Sequence, residues 1–231
     1  MAAGVPEYAK AGSVNIENRQ LRGHTFPARR HCKAEQCFQE AIRKDSSFAP
    51  AYAGLADTYV LQILIVGANG MDQWKRARLA TQAALKLNPK LPEAHTAAAI
   101  TGFFVAWDWK ASERSFIRAI ELNPNYAIAH QFYAHLLSNS SRHDEAIAEI
   151  QRAREIDPLS PIMYGFESMF LARAERHEEA FAAVQHALTI DPDFFPAHAA
   201  FGHLQDEAGK PDAALEEYRK AHHLSGATFS S

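Results

Sequence analysis

The residues of this 231-residue chain that invite chemistry are twelve histidines and two cysteines. Histidine titrates near neutral pH and ligates metals, and a cysteine thiolate serves as nucleophile or ligand. Their spacing argues against both uses. His130/His135 and His198/His203 are five residues apart, about 140° around a helix, so neither pair can hold one ion from a single regular helix. His222/His223 reads as a solvated pair near a helix end, and no HExxH sequence occurs. Cys32 and Cys37 match neither a paired metal-ligand spacing nor a disulfide framework. A G-x-S-x-G elbow, a Gly-rich phosphate loop and an alternating β pattern are also missing from the sequence. The expectation is a chain that is not an enzyme, with no catalytic residue, no metal and no cofactor.

The elements that place these residues announce themselves through their ends. LKLNP, IELNP, REIDP and LTIDP close amphipathic stretches at Pro89, Pro124, Pro158 and Pro192, separated by 35, 34 and 34 residues. Proline cannot continue a helix and restrains the residue before it. The same count forward reaches Gly226, and a longer step back reaches Ser46, leaving nine extra residues in that repeat. Five residues before each stop stands an alanine: Ala41, Ala84, Ala119, Ala153, Ala187 and Ala221. Eight before are Phe38, Thr81, Phe116, Ile150, Val184 and Tyr218, and twelve before are small residues from Ala34 to Ala214. A small, bulky, small stripe of this kind lets two helices approach and interlock.

A second stripe follows each stop, opened by Tyr52, His95, His130, Tyr164 or His198. Each unit is therefore a pair of antiparallel helices, with His95, His130 and His198 as packing residues in one repeated position. The boundaries read as an N-terminal extension over 1–14, an array over 15–226 and a tail over 227–231. The array divides into 15–46, 49–89, 92–124, 127–158, 161–192 and 195–226. The nine extra residues fall near 60–76, where the apolar part is expected to lengthen the first helix by about two turns before a reversal at Gly67 to Gly70. Glu167 and Ser168 replace the usual large and small residues of the fifth repeat, predicting a looser junction there.

This pattern resembles the tetratricopeptide repeat (TPR) family, over roughly Asn15 to Gly226. The resemblance implies an all-α solenoid, a right-handed superhelix of about six helix-turn-helix repeats with a concave groove. AYAGLADTY, FVAWDWKASERSFIRAIELNPNYAIAH and REIDPLSPI are similar to the TPR tails of bacterial winged-helix regulators, adenylate cyclases and protein kinases. The implied function is a protein- or peptide-binding adaptor or scaffold in a bacterial signalling or transcription-regulating system. A substrate-recruiting region of an enzyme such as a glycosyltransferase, or a self-assembling structural array, is the alternative.

Family geometry places Thr96, Ile100, Phe103, Gln131, Phe132, His135, Phe166, Met169 and His203 along the groove, where another protein or peptide would bind. Apolar groups dominate its middle, suited to an amphipathic helix or an extended apolar peptide. Phe201 and Tyr218 mark an uncapped end through which a homodimer is expected. A formal net charge of -3 gives no attraction to nucleic acid, so no direct nucleic-acid partner is expected. The longest apolar run, Tyr59 to Ala68, is about half the roughly 20 residues that span a bilayer, so no membrane partner is expected. No signal peptide is read at the start, and the cysteine usage fits a cytoplasmic location.

Overall fold

Asparagine or aspartate before the stop residue ends four of the helices by a specific device. In the computed structural model the side chains of Asp45, Asn88, Asn123 and Asp191 accept from the backbone N–H two residues on, at 2.9–3.1 Å. This turn gives the backbone an alternative to helix propagation. The structure describes residues 28–66 and 70–225; the expected N-terminal extension, Gly67 and Gly226 lie outside them.

Eleven α-helices are described: α1 (Ala28–Lys44), α2 (Ala49–Val66), α3 (Gly70–Leu87), α4 (Pro92–Thr101), α5 (Trp109–Leu122), α6 (Ala127–Asn139), α7 (His143–Ile156), α8 (Pro161–Arg173), α9 (His177–Ile190), α10 (Phe195–Glu207) and α11 (Pro211–Ser225). No strand occurs among the described residues. The fold class is all-α, built of successive helix-turn-helix repeats. Two compact units divide within α6, between Phe132 and Tyr133. In the first, α2 pairs with α3 and α4 with α5, while α1 lies on α2 and α3 on α4. In the second, α8 pairs with α9 and α10 with α11, and α8 also touches α7 and α10.

The core follows the stripe read from the sequence. Ala84, Ala119, Ala153 and Ala187 are fully buried, as are Phe116, Ile150 and Val184 eight residues before the stop. After the stop, a different bond repeats. The ring tip of the sixth residue reaches back to the carbonyl of the stop residue: Tyr52 to Ser46, His95 to Pro89, His130 to Pro124, Tyr164 to Pro158 and His198 to Pro192, at 2.9–3.4 Å. A carbonyl only accepts, so each tip donates, and the three histidines carry a proton on Nε2. That explains why tyrosine and histidine share the position while phenylalanine is missing from it. His95→Phe is expected to cost about 1 kcal/mol in urea unfolding, and His95→Tyr, which restores a donor, less than about 0.5 kcal/mol.

The turns inside the hairpins recur as well. Trp107, Ser141, Glu175 and Gly209 hold left-handed backbone, φ 53–71°, at intervals of 34 residues. Arg142, Arg176 and Lys210 N–H groups then bond the carbonyls of Leu137, Leu171 and Gln205, closing the helix ends. The third repeat has one residue more before this turn, and the helix absorbs it as a π-helical stretch over Gly102–Ala106, with Asp108 N–H reaching the Gly102 carbonyl.

The nine-residue insertion is shared between two helices rather than spent on one. α2 has 18 residues where α6 has 13, and α3 has 18 where α7 has 14. Lengthening both arms of the hairpin keeps the extra backbone hydrogen-bonded within helices.

Candidate functional site

The site expected along the first helix of each repeat has to be built unit by unit. In the first unit Thr96, Ile100, Phe103 and Gln131 are buried, while Phe132 is half-buried. Phe103 is consumed by its neighbours, meeting Phe104 and Trp109 edge to face at 4.6 and 5.7 Å. The register reading missed this because it could not see that the π-helical stretch turns these rings inward upon the α5 start.

In the second unit the remaining four residues stand differently. Phe166 and Met169 on α8 are half-buried, and His203 on α10 is exposed, lying 3.4 Å from Glu207. Gly165 presents open space: a Cβ built on it meets nothing within 4 Å. Ala172, Ala199 and Ala200 are partly exposed small residues on α8 and α10. Together they give a shallow apolar face with a bare stretch of backbone beside an aromatic ring.

His135 on α6 is the back wall of this face. Its ring meets Phe166 and Phe170 edge to face, with centroids 4.4 and 5.0 Å away. Burial, with the Arg173 cation adding to it, pushes its pKa down to about 4. The imidazole is therefore neutral near pH 7, an aromatic packing group rather than an acid or base. Arg173 Nη1 donates to Ser138 Oγ at 3.2 Å, tying the end of α8 to α6 and placing a positive charge at that end. Ser138 has the register of a groove residue, whereas Arg173 was not expected there; a cation closing the α8 stripe was the available signal.

The depressed pKa has a consequence for stability. Above the ordinary value of 6.5 both folded and unfolded chains carry a neutral His135. Between 6.5 and about 4 the unfolded chain takes up a proton that the folded one refuses, so stability falls with falling pH. The expected loss is roughly 2–3 kcal/mol by the lower end of that window, since one pK unit corresponds to about 1.4 kcal/mol. Urea unfolding between pH 7 and 4.5 checks it, and His135→Phe is expected to flatten the profile.

A polar cleft of about 420 Å³ lies on the opposite side of α8, between α7 and α9, with Gln151, Arg154, Glu167 and His186 in its lining. Glu167 is buried and accepts two bonds from Arg154 Nη1, at 2.8 and 3.1 Å, and one from Gln151 at 3.2 Å. The Arg154 guanidinium also sits 5.4 Å from the Tyr164 ring centroid, and that ring meets His186. The junction expected to be loose is instead bridged by an ion pair, and only the Ser168 hydroxyl beside it is buried without a partner. These groups satisfy one another, so the cleft is a structural joint.

Among the described residues no three His, Cys, Asp or Glu side chains converge to hold a metal ion, and no helix is long and apolar enough to cross a membrane. No known protein-family profile matches the chain, and no curated protein matches it in sequence. Solved structures do. PilF of Pseudomonas aeruginosa matches with a TM-score of 0.63 at 18% identity, over 80% of this chain and 79% of that one. YrrB, described as a TPR protein with an unusual peptide-binding site, matches with a TM-score of 0.52 at 20% identity, over 83% and 93%. The fold is that of tetratricopeptide-repeat proteins. A thermophilic TPR protein of Thermus thermophilus shares it as well, with a TM-score of 0.60 at 19% identity, over 70% of this chain and 88% of that one. In TPR terms, the apolar face lies on the first helices of the fifth and sixth repeats, and the polar joint binds the fourth repeat to the fifth.

Proposed function

We propose that this TPR chain is a protein-interaction scaffold that takes a short apolar peptide segment on the face formed by α8 and α10. The open backbone at Gly165, flanked by half-buried Phe166 and Met169, carries the reading. A side chain at 165 would obstruct nothing inside the fold, and its omission leaves room for a ligand's backbone to come close. Small residues on α10 continue the room, and Arg173 favours an acidic group at one end of the ligand. Resemblance of the repeats to the tails of bacterial signalling and transcription-regulating proteins supports reading such a scaffold as part of a system of that kind, in the cytoplasm. Self-association through the last hairpin is the second contact, supported by Tyr218, which is 39% exposed while Phe201 is half-buried.

The test is selection from a displayed random-peptide library against the purified chain. Enrichment of sequences pairing two apolar side chains with an acidic residue is expected, with binding lost on Phe166→Asp. Selection of peptides that bind Phe166→Asp equally well would remove this face as the site.

A further inference from the structure

Tyr218 occupies a register position whose burial is known from its counterparts. Eight residues before the stop, Thr81 is 3% exposed and Phe116, Ile150 and Val184 are 0% exposed, against 39% for Tyr218. One turn away on α11, Leu215 is 48% exposed. Beneath them the helix is well seated: Ala214 and Ala221 are buried, and Tyr218 lies over Gly202, whose Cβ would meet the ring at 2.8 Å. The outward flank of α11 is therefore an apolar strip, and the Tyr218 position within it is buried in the second to fifth repeats.

The charges around the strip select its cover. Exposed Asp212 and Glu216 stand in the first half of α11, and exposed Arg219, Lys220, His222 and His223 in the second, with Lys220 also paired to Glu216 at 3.1 Å and to Glu217 at 2.8 Å. A helix with an acidic first half and a basic second half complements itself when a copy runs antiparallel. In that arrangement the middle of the strip falls on the two-fold axis, Leu215 faces Tyr218 of the second copy, and the reverse contact is generated by symmetry. Asp212 then comes opposite His222, and Glu216 close to Arg219, on both sides. A parallel approach sets like charges together.

We propose that α11 pairs antiparallel with α11 of a second copy, making the chain a two-fold homodimer with Leu215 and Tyr218 at its centre. This rests on the self-association reading above and names its geometry. One helix pair is a small interface, at the low end of the sizes that hold specific pairs.

Analytical ultracentrifugation of the full chain tests it with two charge variants, each checked for native helicity. Asp212→Lys/Glu216→Lys makes the helix flank basic throughout, and Arg219→Glu/His222→Glu makes it acidic throughout. Each variant alone is expected to dimerise at least about tenfold more weakly than the parent, and an equimolar mixture to recover a dimer. A parent dimer that persists unchanged in both variants would place self-association on another face and overturn the pairing alone. A parent that stays monomeric at high concentration overturns self-association as well. If that monomer protects α11 from hydrogen exchange until residues 226–231 are removed, the chain's own tail is the cover. None of these substitutions touches the α8 face, so peptide binding there is scored separately.

Discussion

Arg154→Ala is expected to lower the unfolding free energy by about 3 kcal/mol, because it leaves the Glu167 carboxylate buried with Gln151 as its only remaining donor among its observed partners. The loss includes the guanidinium's contact with the Tyr164 ring, worth up to about 1 kcal/mol. Glu167→Ala is expected to cost less, about 1–2 kcal/mol, since the Arg154 side chain is 35% exposed and can turn to water. The double change Arg154→Leu/Glu167→Leu should recover most of the stability, and the register says why. Arg154 stands four residues before its stop, where four of the other repeats carry Ile42, Leu85, Ile120 and Leu188 and the last carries His222. Glu167 stands nine residues after, where Leu55, Ala98 and Phe201 serve elsewhere. The ion pair thus takes the place of an apolar pair, and replacing both members together restores the general solution. Urea unfolding of the three variants gives the coupling directly; additivity of the two single changes would show that the pair is not a unit.

This joint shows where reading the chain as a linear text stops short. Period, hairpins and the buried small, bulky, small stripe were all legible, since each is a local consequence of helical geometry and of residues that end helices. The role of Glu167 was not. Taken alone it breaks the pattern and suggests a weak junction; its partner Arg154 breaks the pattern too, at a position outside the two stripes being compared. The carbonyl bonds of Tyr52, His95, Tyr164 and their equivalents were half legible. The register placed these rings together as packing residues, while the shared property of a donor at the tip only acquires meaning once a carbonyl is found 2.9–3.4 Å away.

The expected groove was legible as a register and not as a surface. Thr96, Ile100, Phe103 and Gln131 carry the correct offsets yet are buried, because one helix offset is exposed or covered according to the size of neighbouring side chains. At Gly165 and along α10 the neighbours are small, and the face opens. At Phe103 the rings of Phe104 and Trp109 crowd the same position, with Phe104 also stacked near Trp74 and Trp109 near Trp107.

The second large effect belongs to that open face. Gly165→Arg is expected to fold as well as the parent, or better by about 0.5–1 kcal/mol, because glycine inside a helix is the less stable choice and the new Cβ meets nothing. The same change should abolish ligand binding, since the long side chain fills the space beside Phe166. A stabilised protein that has lost its ligand is a signature that general damage to the fold cannot imitate. Gly165→Ala, with a single methyl group, is expected to keep most of the affinity.

The most direct measurement is calorimetric titration of a library-selected peptide into the parent and into Gly165→Arg, with thermal unfolding of both proteins alongside. The expected result is at least about a hundredfold loss of affinity, roughly 2.7 kcal/mol, at equal or higher thermal stability. Unchanged affinity in a stably folded Gly165→Arg protein would contradict it and put the ligand on another surface.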